Sequence, residues 1–441
     1  MILRLGLVSL ASTASRVVAG AGATIVLARV LPPETFGTLC LSISWALLAG
    51  VIADFGLGHC VWNDIIVQPA DARSLLRRHL RLKVPLGLTY MAVAAVLFTV
   101  IFKPEDLAIF AGVFAAIYLT LTGDYYCFAL RGLSHVEKEA RISAVMSSVY
   151  AVAVVTAGFV THDAVAVVTA MVLARLAYVI VAGWNLFRVL PPASPTLGEP
   201  WKPLMAADFR RAGPVASDYA LALIAAQIDL ILVDILLDRF SVGIYGAGTR
   251  LVQASAMLTA TLTSVFLPLI ATSRNIPHVQ AHRTGQLLIG FTTLGLAGLV
   301  GFIFFGPLFV RYLFGPHYQE LNAYWWLFGS LVCVQFLGGA FGILLNSHGR
   351  QRNRAWVQAW VLPAIAILAF WIVPHLGITG MILLMFAGNA VLGTAYYVIC
   401  LRLGLLRGVS KISLAMLLGA FTLLCLCVAL SIFVMNGGPT S

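Results

Sequence analysis

Charge is what this sequence has least of. Only 10% of its 441 residues are Asp, Glu, Lys or Arg, too few to clothe a soluble domain of this size. No G-x-x-x-x-G-K-[ST] loop is present, which excludes ATP hydrolysis by that route. No Ser/His/Asp set or carboxylate pair stands out in the loops, and no loop is long enough to house a soluble catalytic domain. Catalysis is therefore not expected. The seven cysteines (40, 60, 127, 333, 400, 425 and 427) are odd in number and scattered along apolar runs. Cys425 and Cys427 point to different sides of a helix, and no His or Cys sits at metal-ligand spacing. Structural disulfides, zinc and other resident cofactors are not expected. A cleavable signal peptide is not expected either, because the first apolar run continues to about Leu31, past the length of a signal core, and carries Arg16.

What fills the sequence instead is apolar: 61% hydrophobic residues and a mean hydropathy of +0.96. Windows of about 20 apolar residues are the length a helix needs to cross a bilayer. They predict thirteen spans, at 5–31, 37–60, 84–102, 107–130, 142–160, 164–187, 213–237, 243–271, 285–306, 323–346, 355–374, 377–401 and 412–435. The net charge of +11 would point to nucleic acid in a soluble protein. Here it reads as topology, and no nucleic-acid partner is expected. With the N-terminus inside, 21 of the 28 Lys and Arg residues fall on cytoplasmic segments and only Lys103, Arg239 and Arg311 on outer ones. That bias supports a cytoplasmic N-terminus.

The second half of the chain restarts the first. Leu31-Pro-Pro-Glu-Thr-Phe-Gly-Thr-Leu39 lines up with Leu237-Asp-Arg-Phe-Ser-Val-Gly-Ile-Tyr245 at an offset of 206 residues, the mark of a duplicated bundle. Six spans per repeat leave both halves in the same orientation, as parallel repeats with a path between them. The expected organisation is an N-lobe at 1–189, a proline-rich cytoplasmic linker at 190–212, a C-lobe at 213–403 and an extra C-terminal span at 404–441. The fold class is thus all-α and polytopic: two six-helix lobes around a central cleft, about 12 core helices plus one.

Ionisable groups at membrane depth are the candidate site, since burying a charge in lipid is costly unless it is used or paired. Arg16 lies near the middle of span one, Arg29 near its outer end, Arg175 in the middle of span six and Arg250 two turns into span eight. A guanidinium keeps its charge and offers a donor fork suited to phosphate, so these arginines could line a cavity for an anionic headgroup. Each has a plainer reading. Arg29 can snorkel to outer headgroups. Arg175 can neutralise Asp124 of span four. Arg250 can pair with Asp234, the two lying roughly 10 and 5 Å from the outer helix ends at ~1.5 Å per residue. Arg16 is too deep to snorkel, which favours a cavity role. On span seven, Asp218 and Asp229 are eleven residues apart on one helical face. Asp229 is a candidate for a coupling ion or a gating latch, and Asp218 for a wetted helix start. The run Arg73-Ser-Leu-Leu-Arg-Arg-His-Leu-Arg-Leu-Lys83 reads as an amphipathic inner-surface segment touching anionic lipids.

Five local patterns, in order along nearly the whole chain, resemble the polysaccharide transporter (oligosaccharide flippase) family of the multidrug/oligosaccharidyl-lipid/polysaccharide exporter superfamily. They are Leu27-Ala-Arg-Val-Leu-Pro-Pro-Glu-Thr-Phe-Gly37; Ala53-Asp-Phe-Gly-Leu-Gly58, similar to the family's end of span two; Asp229 followed by Gly243-Ile-Tyr and Arg250-Leu; Tyr312-Leu-Phe-Gly-Pro-His-Tyr318; and Asn346-Ser-His-Gly-Arg350 with Pro374-His-Leu-Gly-Ile-Thr-Gly380. The resemblance implies a MATE-like fold opening to one side at a time. It implies export of an undecaprenyl-pyrophosphate-linked oligosaccharide across the bacterial inner membrane, for exopolysaccharide, O-antigen or capsule synthesis. In related lipid II flippases a basic cavity holds the pyrophosphate, and Arg16 and Arg250 are similar to arginines there. A polysaccharide polymerase and a chain-length regulator are the implied partners, with proton or sodium coupling. Two departures stand out: His59-Cys-Val-Trp-Asn-Asp64 where the family often has an Arg, and Asp234 where a small residue is common. The alternatives are a cation-coupled exporter of drugs or other amphiphiles on the same fold, whose cavity should be acidic or neutral, and a membrane-embedded glycan polymerase or ligase.

Overall fold

The computed structural model describes residues 15–16, 19–192, 201–273 and 276–437. All of its regular structure there is helical. The chain divides into two compact units, Met1–Asp234 and Ile235–Ser441.

The first unit holds α1 (Ala19–Val30), α2 (Pro33–Asp54), α3 (Leu57–Val67), α4 (Ala72–Ile101), α5 (Leu107–Gly132), α6 (Val136–Thr161), α7 (Ala164–Val189) and all but the end of α8 (Trp201–Leu236). Local chemistry sets the breaks. The Asp-Phe-Gly-Leu-Gly pattern does not simply end a span: Phe55 (φ 43°) and Gly56 (φ 73°) both take left-handed backbone, turning α2 into α3. Asp163 caps α7 by accepting from the amides of Val165 and Ala166, each at 3.2 Å, which satisfies donors that a helix start leaves open. Packing centres on α5, which meets α7 most extensively and also α2 and α3. Leu57, Val61, Ile65, Leu76, Tyr125, Leu130 and Leu186 form the buried cluster where α3, α4, α5 and α7 converge. On the other face, α7 exposes Leu173, Leu176, Ile180, Trp184 and Phe187. Spaced three or four residues apart, these make one continuous apolar stripe, a hazard in water and an ordinary surface in lipid. Within this unit α8 is fastened to α2 by a buried bond, Ser44 Oγ donating to Gln227 Oε1 at 2.8 Å.

The second unit holds α9 (Arg239–Thr272), α10 (Pro277–Phe309), α11 (Trp325–Ser347), α12 (Gln351–Arg402) and α13 (Lys411–Gly437). Asp238 caps α9 through the Ser241 amide at 2.7 Å, as the polar turn in the sequence requires. The central helix is α11, with 19 of its 23 residues buried; it packs on α9, α10, α12 and α13. The last helix, α13, lies against α10 and α11.

Among the described residues nine helices are long and apolar enough to cross a membrane. This fits thirteen expected spans. The 52-residue α12 breaks at Gly377 (φ 59°, ψ −143°) and so holds two of them. The first span runs over residues outside the described set, and the seventh and eighth fall on α8 and α9, some of whose side chains lie outside it.

Candidate anion site

Three apolar helices of the first unit, near their midpoints, and the segment before α1 bring polar groups together. Thr120 and Asp124 are one turn apart on α5, Arg175 and Tyr178 one turn apart on α7, so each pair shares a helical face. With Arg16, Met146 and Ser147 they line a cavity of about 180 Å³. The approach of α5 to α7 is set by Gly123. A side chain there would run into the ring of Tyr178, and without one the ring lies directly against α5. That places the Tyr178 hydroxyl to donate to Asp124 Oδ1 at 2.8 Å, and Cys127 Sγ lies 3.2 Å from the Tyr178 hydroxyl oxygen.

The two arginines are held differently. Arg16 Nη2 lies 3.6 Å from Asp124 Oδ2, and its side chain remains 42% exposed. Arg175 does not take the carboxylate partner read for it from the sequence. Its guanidinium sits over the ring of Tyr150, 3.9 Å from the ring centre. The reason is positional: Tyr178, one turn along α7, already occupies one oxygen of Asp124, and Arg16 faces the other. No carboxylate pairs with Arg175 among the described residues, and it lines the cavity. A cation held by a ring face and open to a cavity is free to meet an anion.

Other ionisable groups of the unit are paired with one another. Lys83 on α4 is 5% exposed, 3.8 Å from Asp54, 3.4 Å from the Leu121 carbonyl and over the Tyr125 ring at 4.7 Å. Arg131 donates to Glu139 at 3.0 Å. Arg78 and the fully buried His79 both approach Asp64, at 3.9 and 3.3 Å. The basic run at 73–83 is therefore only half a lipid-facing surface: Arg77 and Arg81 are exposed, while His79 and Lys83 are buried inside the unit. A run of alternating charge and leucine shows that a helix is amphipathic, not which of its charges face inward.

The remaining candidate residues lie elsewhere. Arg29 is exposed at the end of α1. Asp229 is half-buried on α8, its Oδ1 accepting from the Leu230 amide at 2.8 Å. The side chain of Asp218 lies outside the described residues. Asp234 closes the first unit. In the second unit Arg250 donates from Nη1 to Gln253 at 2.9 Å, while its buried Nε and Nη2 have no hydrogen-bond partner among the described residues. Tyr178, Gly123 and Cys127 were not singled out in the sequence. An aromatic residue three positions after an intramembrane arginine is too ordinary a signal.

The apolar helices mark a multi-pass membrane protein, and its fold is MATE-like. An inward-facing multidrug resistance MATE family transporter of the MOP superfamily superposes with a TM-score of 0.67 at 12% identity, covering 90% of this chain and 96% of that one. An outward-facing structure described in the same terms gives 0.61 at 15% identity over 93% and 96%. The lipid II flippase MurJ in an inward closed conformation gives 0.65 at 11% identity over 98% and 99%. A search of curated proteins returns no match. The sequence profile described as "Polysaccharide biosynthesis protein" matches residues 3–274, and the chain belongs to that family.

Proposed function

We propose that this protein is a flippase that carries undecaprenyl-pyrophosphate-linked oligosaccharide units across the bacterial inner membrane by alternating access. The observation that carries this reading is Arg175, a cation at membrane depth with no carboxylate partner among the described residues, facing a cavity it shares with Arg16. A bare pyrophosphate cannot cross hydrocarbon cheaply, and a guanidinium pair supplies the charge-assisted hydrogen bonds that replace its water. Membership of a polysaccharide biosynthesis family and a fold shared with a lipid II flippase support the same cargo class. The lipid tail stays in the bilayer while the glycan travels in water. Arg250, with two buried donors to satisfy, is a second contact for the cargo.

The N-terminus lies in the cytoplasm, and the polymerase and chain-length regulator of the same glycan are its partners. Direction comes from a proton or sodium ion, with Asp229 its candidate holder; substrate drives the switch only through unequal affinity for the two states.

The test is export in cells. Arg175→Ala and Arg16→Ala should each lower export roughly tenfold or more and leave lipid-linked repeat units in the inner leaflet. Undiminished export at normal protein levels would remove that residue from the mechanism. Unpolymerised units outside the cell would point to a polymerase instead.

A further inference from the structure

We infer that Asp124 is an internal competitor for the cargo's anionic group, a carboxylate that occupies Arg16 in the empty cavity and sets how readily the headgroup is released. This rests on the anion-binding reading of the same cavity.

The argument is a comparison of three cation–carboxylate pairs in one unit. Arg131 and Glu139 are hydrogen-bonded at 3.0 Å, Glu139 is 3% exposed, and Ser143 donates to its other oxygen at 3.2 Å. The rings of Trp62 and Phe128 face the same guanidinium. Lys83 and Asp54 are likewise enclosed. Both pairs are structural. Arg16 and Asp124 are built otherwise. Their 3.6 Å approach includes no hydrogen bond among the described residues, Arg16 is 42% exposed, and both line the cavity. The carboxylate itself is anchored firmly, by the Tyr178 hydroxyl at 2.8 Å. The anion is fixed and the cation loosely tethered.

An arriving phosphate can therefore take Arg16 while Asp124 stays where it is, bonded to Tyr178. On departure Asp124 recovers Arg16. The charged groups lining the cavity are Arg16 and Arg175 against Asp124, so the carboxylate offsets one of two positive charges and weakens the hold on any anion. A carrier gains from this, because a site that only binds tightly does not turn over.

The test uses the purified full-length protein and a soluble short-chain probe, citronellyl diphospho-N-acetylglucosamine. Asp124→Asn keeps an acceptor for Tyr178 but removes the charge; it should tighten probe binding on the order of tenfold while slowing export in cells. Tyr178→Phe frees the carboxylate to follow Arg16, and should weaken binding severalfold. Unchanged or weaker binding in Asp124→Asn, in protein that unfolds at the wild-type temperature, overturns the inference. If that variant does not fold, unchanged or tighter binding in Tyr178→Phe overturns it. Arg175→Ala separates the two ideas. If it binds the probe like wild type, the anion site is misplaced. If it loses binding while Asp124→Asn is unaltered, only the competitor role fails.

Discussion

Gly123 and Tyr178 meet face to face: the tyrosine ring rests on the α5 backbone where a side chain would otherwise stand. This contact carries the hydroxyl to Asp124. A methyl group at 123 must push the ring outward. Gly123→Ala should cost about 1–3 kcal/mol, as overpacking does, and lower export beyond what the loss of folded protein explains. Thermal unfolding beside export per folded molecule checks it; wild-type values for both would show that the contact is slack.

Glu139 and Arg131 form a closed pair, with Glu139 3% and Arg131 26% exposed. Removing one partner of a buried pair leaves an uncompensated charge, at about 3–5 kcal/mol. Glu139→Ala should unfold at markedly lower temperature, and Glu139→Gln with Arg131→Met should recover most of the loss. Probe affinity in the double variant should stay near wild type, which sets this pair apart from Arg16 and Asp124.

Gly377 breaks α12 with φ 59° and ψ −143°, a region that L side chains rarely enter. Gly377→Ala should destabilise by about 1–3 kcal/mol, seen as a lowered unfolding temperature. An unaltered temperature would mean that the bend can be made another way.

Asp163 accepts two amides at the start of α7 and lies away from the cavity. Asp163→Ala should cost about 1 kcal/mol, the usual worth of an N-cap, with export per folded molecule unchanged.

The order of the spans was legible in the sequence because it follows from chemistry local to the chain, whereas the turn at Phe55-Gly56 that splits off α3 was not. Apolar windows of bilayer length give the spans, the Asp238 turn is capped as written, and Pro374-His-Leu-Gly377 breaks the long helix near where the pattern places it. The pairing of charges was not legible, because it depends on how helices far apart in sequence are rotated against one another. On the sequence alone Arg175 is the partner read for Asp124, and Arg16 is read only for a cavity role. The choice fell to Arg16 because Gly123 draws Tyr178 close, a contact between residues 55 positions apart. Lys83 is hidden from the sequence for a related reason. It ends a basic run that looks like surface, yet α5 supplies a carbonyl and a ring to enclose it.

All seven residues around the cavity come from the unit that ends at Asp234. Under the proposed function, the phosphate's contacts with Arg16 and Arg175 belong to that unit, so substitutions there alter its hold while leaving Arg250 of the other unit untouched.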